Sequence, residues 1–213
     1  YRKPDKAIDV KFNGNAYMKS CPDGSLELAY EDYMSVMAVP YDVPIVGYRN
    51  NTVNTLRLWN AEVNRDFSDY GTLTQEQLRS KTDYRHFVES ITKYLYPDDS
   101  SYEGRRMRLI QEYFFVSAGV QSIIRHYKKT GLNVHNLSNK IAIHINDTHP
   151  AVAVAELMRI LIDEEGLSWD EAWDITTHTV AYTNHTIMPE ALEKWPVDML
   201  KPLLPRIYMI IEE

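Results

Sequence analysis

The sequence predicts an α/β protein whose first third is rich in strands and whose remainder is carried by long helices. Three observations lead there. Alternating apolar residues broken by turn pairs fill the stretch from Ile8 to Asn51. A long apolar stripe at helical spacing runs from Glu103 to Gly131. A short run of alternating isoleucines then ends in a cluster of polar residues that leads into further helix.

In order, Ile8, Val10 and Phe12 alternate before the turn pair Asn13-Gly14, and Leu26, Leu28 and Tyr30 alternate after Pro22-Asp23-Gly24. The stretch "YMSVMAVPYDVPIVGYRNN" is apolar and extended, but Pro40, Pro44 and Gly47 argue for edges and loops rather than a long central strand. From Asn51 to Leu95 the pattern turns helical and polar, with "NRDFSDYGTLTQEQL" read as a surface insertion. The clearest helix follows: Leu109, Tyr113, Val116, Val120, Ile123 and Tyr127 form one stripe, and Ile110, Phe114, Ala118 and Ile124 a neighbouring one. Glu103 opens it and Arg125, Lys128 and Lys129 crowd its end, the charge order the helix dipole favours. Gly131 is its stop.

"KIAIHIND" reads as a strand with Ile141, Ile143 and Ile145 on one face, and Pro150 suits the first turn of a helix that Gly166 closes. Ser168 and Glu171 form a capping box for the next helix, which is expected to turn Trp169, Ala172 and Trp173 inward. The polar loop "YTNHT" and a helix started by Pro189 complete the order. The chain opens on Tyr1 without an initiator Met and closes with the pattern of "PRIYMIIEE" still running, so it is expected to be a piece of a longer protein.

With 44% hydrophobic and 25% charged residues, the composition is that of a folded domain and not of a disordered tail. The net charge of -7 comes without any basic block, which argues against a nucleic-acid partner. One cysteine, Cys21, allows no internal disulfide and fits a reducing compartment. No apolar run reaches the roughly 20 residues needed to span a bilayer. Cytoplasmic residence is expected.

Asn146, Asp147, Thr148 and His149 are too many donors and acceptors for one helix start. Thr148 or Asp147 can cap the helix, and the surplus points to a ligand. Tyr182, Thr183, Asn184, His185 and Thr186 form a second cluster of the same kind, and the two are expected to converge on a small neutral polar ligand such as a sugar. Asp98 and Asp99 precede the long helix, where they can compensate its dipole or face that sugar. Adjacent carboxylates do not make a glycosidase pair, which needs roughly 5–10 Å across the substrate. A metal centre is not expected, because His144, His149, His178 and His185 show no helical i, i+4 pairing. A Gly-rich phosphate loop and a Gly-x-Ser-x-Gly elbow are also missing.

Four stretches, "VPYDVPIVGYRNNTVNTLRLW", "LYPDDSSYEGRRMRLIQEYF", "IHINDTHPAVAVAELMRILIDEEGLSWDEAW" and "AYTNHTIMPEALEKWPVDMLKPLLPR", resemble consecutive landmarks of the glycogen, starch and maltodextrin phosphorylases. The resemblance covers nearly the whole chain in order. It implies a glycosyltransferase of the GT-B type with two Rossmann-like domains, residues 1–213 being the latter part of the N-terminal domain. The implied reaction is phosphorolysis of a terminal α-1,4 glucosyl unit by orthophosphate, giving glucose 1-phosphate with retention. Pyridoxal phosphate is the implied cofactor, held by a lysine whose motif lies in the C-terminal domain and is not found here. The fragment alone is therefore expected to be inactive.

By the same resemblance His185 and Asp99 belong to the catalytic site, with Asp98, Ser100, Asp147, His149 and Thr186 binding substrate. The family loop Asn-Asp-Asn stands here as Asp98, Asp99 and Ser100, which puts a direct amide contact at Ser100 in question. The arginine pair of nucleotide-activated members stands as Arg125 and His126, which speaks against AMP control. A homodimer is implied for the full-length protein. The competing reading is a carbohydrate-binding module that uses the same loops without chemistry.

Overall fold

The computed structural model describes residues 1–63, 74–188 and 192–213. It is mixed α/β, with a strand-rich beginning followed by helices, and it divides into two compact units. One comprises Tyr1–Val10 and Ser35–Gln111, the other Lys11–Met34 and Glu112–Glu213.

In the first unit, β1 (Ile8–Phe12), β4 (Met34–Val46) and β5 (Val53–Glu62) form a sheet in the order β1-β4-β5. Ile8 and Val10 are buried with Val36, Ala38 and Val39, so the alternation read from the sequence marks the core face. The prolines do not end the strand, contrary to expectation: β4 runs for 13 residues and lies centrally. Parity explains it. Lys3 N–H donates to Pro40 O and Asp42 N–H to Tyr1 O, so residues 40, 42 and 44 turn their main-chain groups away from β5. The antiparallel ladder with β5, which sets Tyr41 opposite Leu58 and Val43 opposite Leu56, loses no donor to Pro40 or Pro44.

β5 also replaces the helix expected from Asn51 on. Its mixed composition hides it, because half of its side chains are exposed and only Ala61 is buried. Most of the expected insertion, residues 64–73, lies outside the described residues. Helix α1 (Gln75–Lys93) then begins with a full Thr74–Gln77 capping box. Its Val88 and Ile91 are buried, and the Gln111 amide donates to the carbonyls of Ile91 and Tyr94 at its end, at 2.9 and 2.8 Å.

Helix α2 (Tyr102–Lys128) is the expected long helix. In the second unit its Tyr113, Phe114, Val116, Val120, Ile124 and Tyr127 are buried, and Phe12 meets Tyr113 edge-on at 5.6 Å. The hairpin β2 (Asn15–Ser20) and β3 (Leu26–Glu31) turns at Pro22-Asp23-Gly24, as the turn residues require. At the core of this unit Tyr113, Ser117 and Arg159 all bond the fully buried Glu156 carboxylate, Arg159 with two nitrogens. Burial first, and then the Glu156 charge, push the Tyr113 phenol well above its usual range.

A crossover unit completes the chain: β6 (Ile143–Asn146), α3 (Ala153–Arg159), α4 (Trp169–Thr179) and β7 (Val180–Thr183), with β6 and β7 parallel. The sequence reading took the start of "YTNHT" as loop, whereas Tyr182 and Thr183 end a strand that lacks apolar alternation because its last three residues are exposed. Ser168 and Glu171 form the expected capping box. The inward face of α4 is Ala172, Ile175, Thr176 and Thr179, while Trp169 and Trp173 are exposed and not inward as expected. The two indoles lie beside the buried stripe, since residues 169 and 173 share a line one step off 172, 175 and 179. Pro189 lies outside the described residues, and the next helices are α5 (Val197–Leu203) and α6 (Pro205–Glu212).

Candidate functional site: the ends of two parallel strands

Parallel strands deliver their following loops to the same side of a sheet, so the register of Asn146 opposite Thr183 sets both polar clusters side by side. Asp147 N–H extends the ladder by donating to Thr183 O at 2.9 Å. The backbone then enters the left-handed region at Asp147, φ +63°, which Asp tolerates better than most residues. This turn lays the carboxylate over the end of β7. Oδ2 of Asp147 lies 2.7 Å from Nε2 of His185, and the His185 N–H points at Oδ1 at 3.5 Å. The Asp147 side chain is 16% exposed and that of His185 57%, so a shielded anion holds a ring open to solvent. With Nε2 committed to the carboxylate, Nδ1 is the ring nitrogen left for a ligand.

Around this pair, Thr186 N–H donates to Asn184 Oδ1 at 3.2 Å, and His144 Nε2 lies 2.5 Å from Thr183 Oγ1. The arrangement suits hydroxyl recognition: neutral donors and acceptors set around one oriented imidazole.

The capping role expected for Asp147 or Thr148 is not what the structure shows. Val152 is the N-cap of α3 and makes no side-chain cap bond. A turn closed by Ala151 N–H to Thr148 O and Ala153 N–H to Pro150 O intervenes, so the helix starts too far along for either side chain to cap it. Thr148 is instead joined to Glu193, its Oγ1 donating to Oε2 and accepting from the Glu193 N–H, each at 3.4 Å. His149 Nδ1 lies 3.0 Å from Glu193 Oε1 and 3.8 Å from Glu112 Oε1. His149 and Asp147, two residues apart, thus serve different partners. Neither glutamate stood out in the sequence, because each comes from a distant segment and carries no motif.

Asp98, Asp99 and Ser100 belong to the first unit and are exposed. Asp98 Oδ1 accepts from the Ser100 N–H at 3.0 Å, and that bond, with one from the Ser100 hydroxyl, holds the carboxyl below the usual carboxylate range. Asp99 Oδ2 pairs with Arg108 Nη1 at 3.1 Å. Gly104 closes this loop onto the start of α2: a Cβ there would sit 1.7 Å from Asp98 O. Its N–H donates to Ser101 Oγ at 3.0 Å. The sequence reading passed over Gly104 and Arg108, although a glycine inside a helix start is a signal of close approach.

The family model for carbohydrate phosphorylases matches residues 1–213. The chain is 51% identical over 212 residues to the glycogen phosphorylase of Bacillus subtilis (strain 168), across 100% of the chain and 25% of that protein. It is 45% identical over 217 residues to the brain form of Mus musculus, across 98% of the chain and 25% of the relative. To the muscle form of Homo sapiens it is 44% identical over 219 residues, across 99% of the chain and 25% of the relative. The chain thus spans about a quarter of the length of these relatives. On a match that runs from the first residue to the last, this chain belongs to the carbohydrate phosphorylase family.

Proposed function

We propose that the chain is a segment of an α-1,4-glucan phosphorylase, from the latter part of the N-terminal domain of a GT-B enzyme with Rossmann-like domains. In this reading orthophosphate cleaves a terminal glucosyl unit and releases glucose 1-phosphate. The observation that carries it is the Asp147–His185 pair, which joins two loops from the ends of neighbouring parallel strands into one oriented hydrogen-bonding surface.

His185 holds the glucosyl unit through its free ring nitrogen and main-chain carbonyl. Asp147 fixes the ring, and Thr186 adds a hydroxyl beside it. His149 lines the adjoining channel. In the other unit Asp99 is steadied by Arg108, in a loop shaped by Asp98 and Ser100. Such a surface binds and orients; retaining transfer through an oxocarbenium-like transition state also needs charge stabilisation at the leaving group.

Pyridoxal phosphate, which family membership implies, does not fit the residues present. A Schiff-base lysine is commonly activated by desolvation, and no lysine among the described residues is buried. In this reading its cradle belongs to the remainder of the longer protein, which is cytoplasmic and acts as a homodimer. No helix among the described residues is long and apolar enough to cross a membrane.

Incubation of the longer protein with maltoheptaose and orthophosphate tests the proposal. Phosphate-dependent release of glucose 1-phosphate is expected, and glucose release without phosphate would replace it with a hydrolase. Calorimetry of this chain alone with maltopentaose tests the other reading. Saturable binding lost in His185→Ala would support a binding module.

A further inference from the structure

Glu112 from the middle of α2, His149 from the turn after β6 and Glu193 from the loop before α5 meet in one compact unit. Their ligating atoms all lie within 4.8 Å of one another. The imidazole nitrogen stands between the two carboxylates, 3.0 Å from Glu193 Oε1 and 3.8 Å from Glu112 Oε1. Neighbouring ligands on an ion with bonds of about 2.0–2.2 Å are roughly 3–3.5 Å apart. The spacings at His149 bracket that range, and a swing of one carboxylate closes the widest edge.

Three features make this more than a chance group of surface charges. The carboxylates are withdrawn, with the Glu112 and Glu193 side chains 12% and 13% exposed. The Glu193 carboxylate is also held from behind: Thr148 Oγ1 donates to Oε2 at 3.4 Å while Oε1 faces His149 at 3.0 Å. That is the outer-shell support typical of ligating carboxylates. The His149 ring is 51% exposed, so one side of the group stays open to water or a ligand.

We propose that Glu112, His149 and Glu193 form a site for a divalent transition metal of the zinc or manganese class. One imidazole nitrogen and two carboxylate oxygens suit such ions and offer no soft sulfur to copper(I). Water completes the coordination. The motif is invisible to spacing rules because each ligand comes from a different element. The site shares His149 with the glucan reading, where that residue lines the channel, but its test reads binding of an ion and not turnover.

The test is a titration of the chelator-stripped protein with cobalt(II), followed by its visible absorption, and with zinc(II) by calorimetry. One site per chain is expected. Glu193→Gln and His149→Ala should each weaken it at least tenfold, and Thr148→Ala by about tenfold through the lost outer-shell bond. His149 is half exposed, so its variant should fold normally, and circular dichroism checks this. Equal uptake by wild type and His149→Ala would assign the ion to other surface histidines and overturn the proposal. So would the absence of saturable uptake. Phosphorolysis is not part of either readout, so failure here leaves the glucan reading untouched.

Discussion

Across the ends of two parallel strands, Asp147 Oδ2 lies 2.7 Å from His185 Nε2, and the residue that makes this contact is held at a positive φ. Asn tolerates that backbone as well as Asp does. Asp147→Asn should therefore keep the fold while removing the charge that orients the ring. In the longer protein kcat/KM for maltoheptaose phosphorolysis is expected to fall about 10–100-fold, with the melting temperature nearly unchanged. His185→Ala should cost at least as much. Unchanged kinetics for both variants would remove this pair from the site.

Gly104 leaves no room for a side chain, its built Cβ meeting Asp98 O at 1.7 Å. Gly104→Ala must push the Asp98–Asp99 loop off the start of α2. Overpacking of this kind costs about 1–3 kcal/mol, to be measured by urea unfolding. An equally stable variant would show that the loop relocates without cost, and phosphorolysis by the longer protein would then report whether Asp99 matters.

Glu156 is the buried anchor of Tyr113, Ser117 and Arg159. Glu156→Ala leaves the largely buried Arg159 charge with Glu164 as its remaining acid partner and Tyr113 and Ser117 without their acceptor, and is expected to destabilise by about 3 kcal/mol in chemical denaturation. Glu156→Gln should lose less. Because the Tyr113 phenol is held well above its ordinary range, folded protein keeps it protonated where the unfolded chain would ionise. Its contribution is complete below the unfolded value near 10 and is lost as pH rises past it. Absorbance at alkaline pH should show Tyr113 ionising only with unfolding, and Tyr113→Phe should remove that late step.

An acid limb is expected from the Arg57–Asp42 pair, which is bidentate at 2.7 and 2.8 Å. The hydrogen bond from Arg57 holds the Asp42 carboxyl below its ordinary 3.8. A depressed carboxylate stabilises above the unfolded value and stops doing so as pH falls through the folded one. Asp42→Asn should thus be less stable at pH 7 by about 1 kcal/mol, and the two proteins should converge as the pH falls through the depressed folded value. Parallel stability curves from pH 7 to 2 would refute the assignment.

What the sequence made legible follows from how strongly each element is patterned. Helix α2 was plain because two apolar stripes run its length, and the capping box at Ser168 because its chemistry is local. β5 and β7 were missed because exposed strands need no apolar alternation, and the main-chain ladders that hold them leave no trace in composition. The same division holds at the site. Asp147 and His185 could be paired in advance because each sits in a conspicuous polar cluster. Glu112, Glu193 and Gly104 carry meaning only through neighbours from elsewhere in the chain.

The prolines of β4 have a further consequence. Beyond Asp42, which pairs with Tyr1, its outer margin has no partner strand among the described residues, and beside it stand Val43, Ile45 and Val46, 41%, 50% and 73% exposed. Such an apolar margin would invite a foreign strand to dock and recruit others. At Pro44 the incoming chain finds a ring where it needs a donor, so the margin cannot serve as a template for stacking. Pro44→Thr would restore the donor and should raise light scattering on gentle heating, at a temperature where the native protein stays clear.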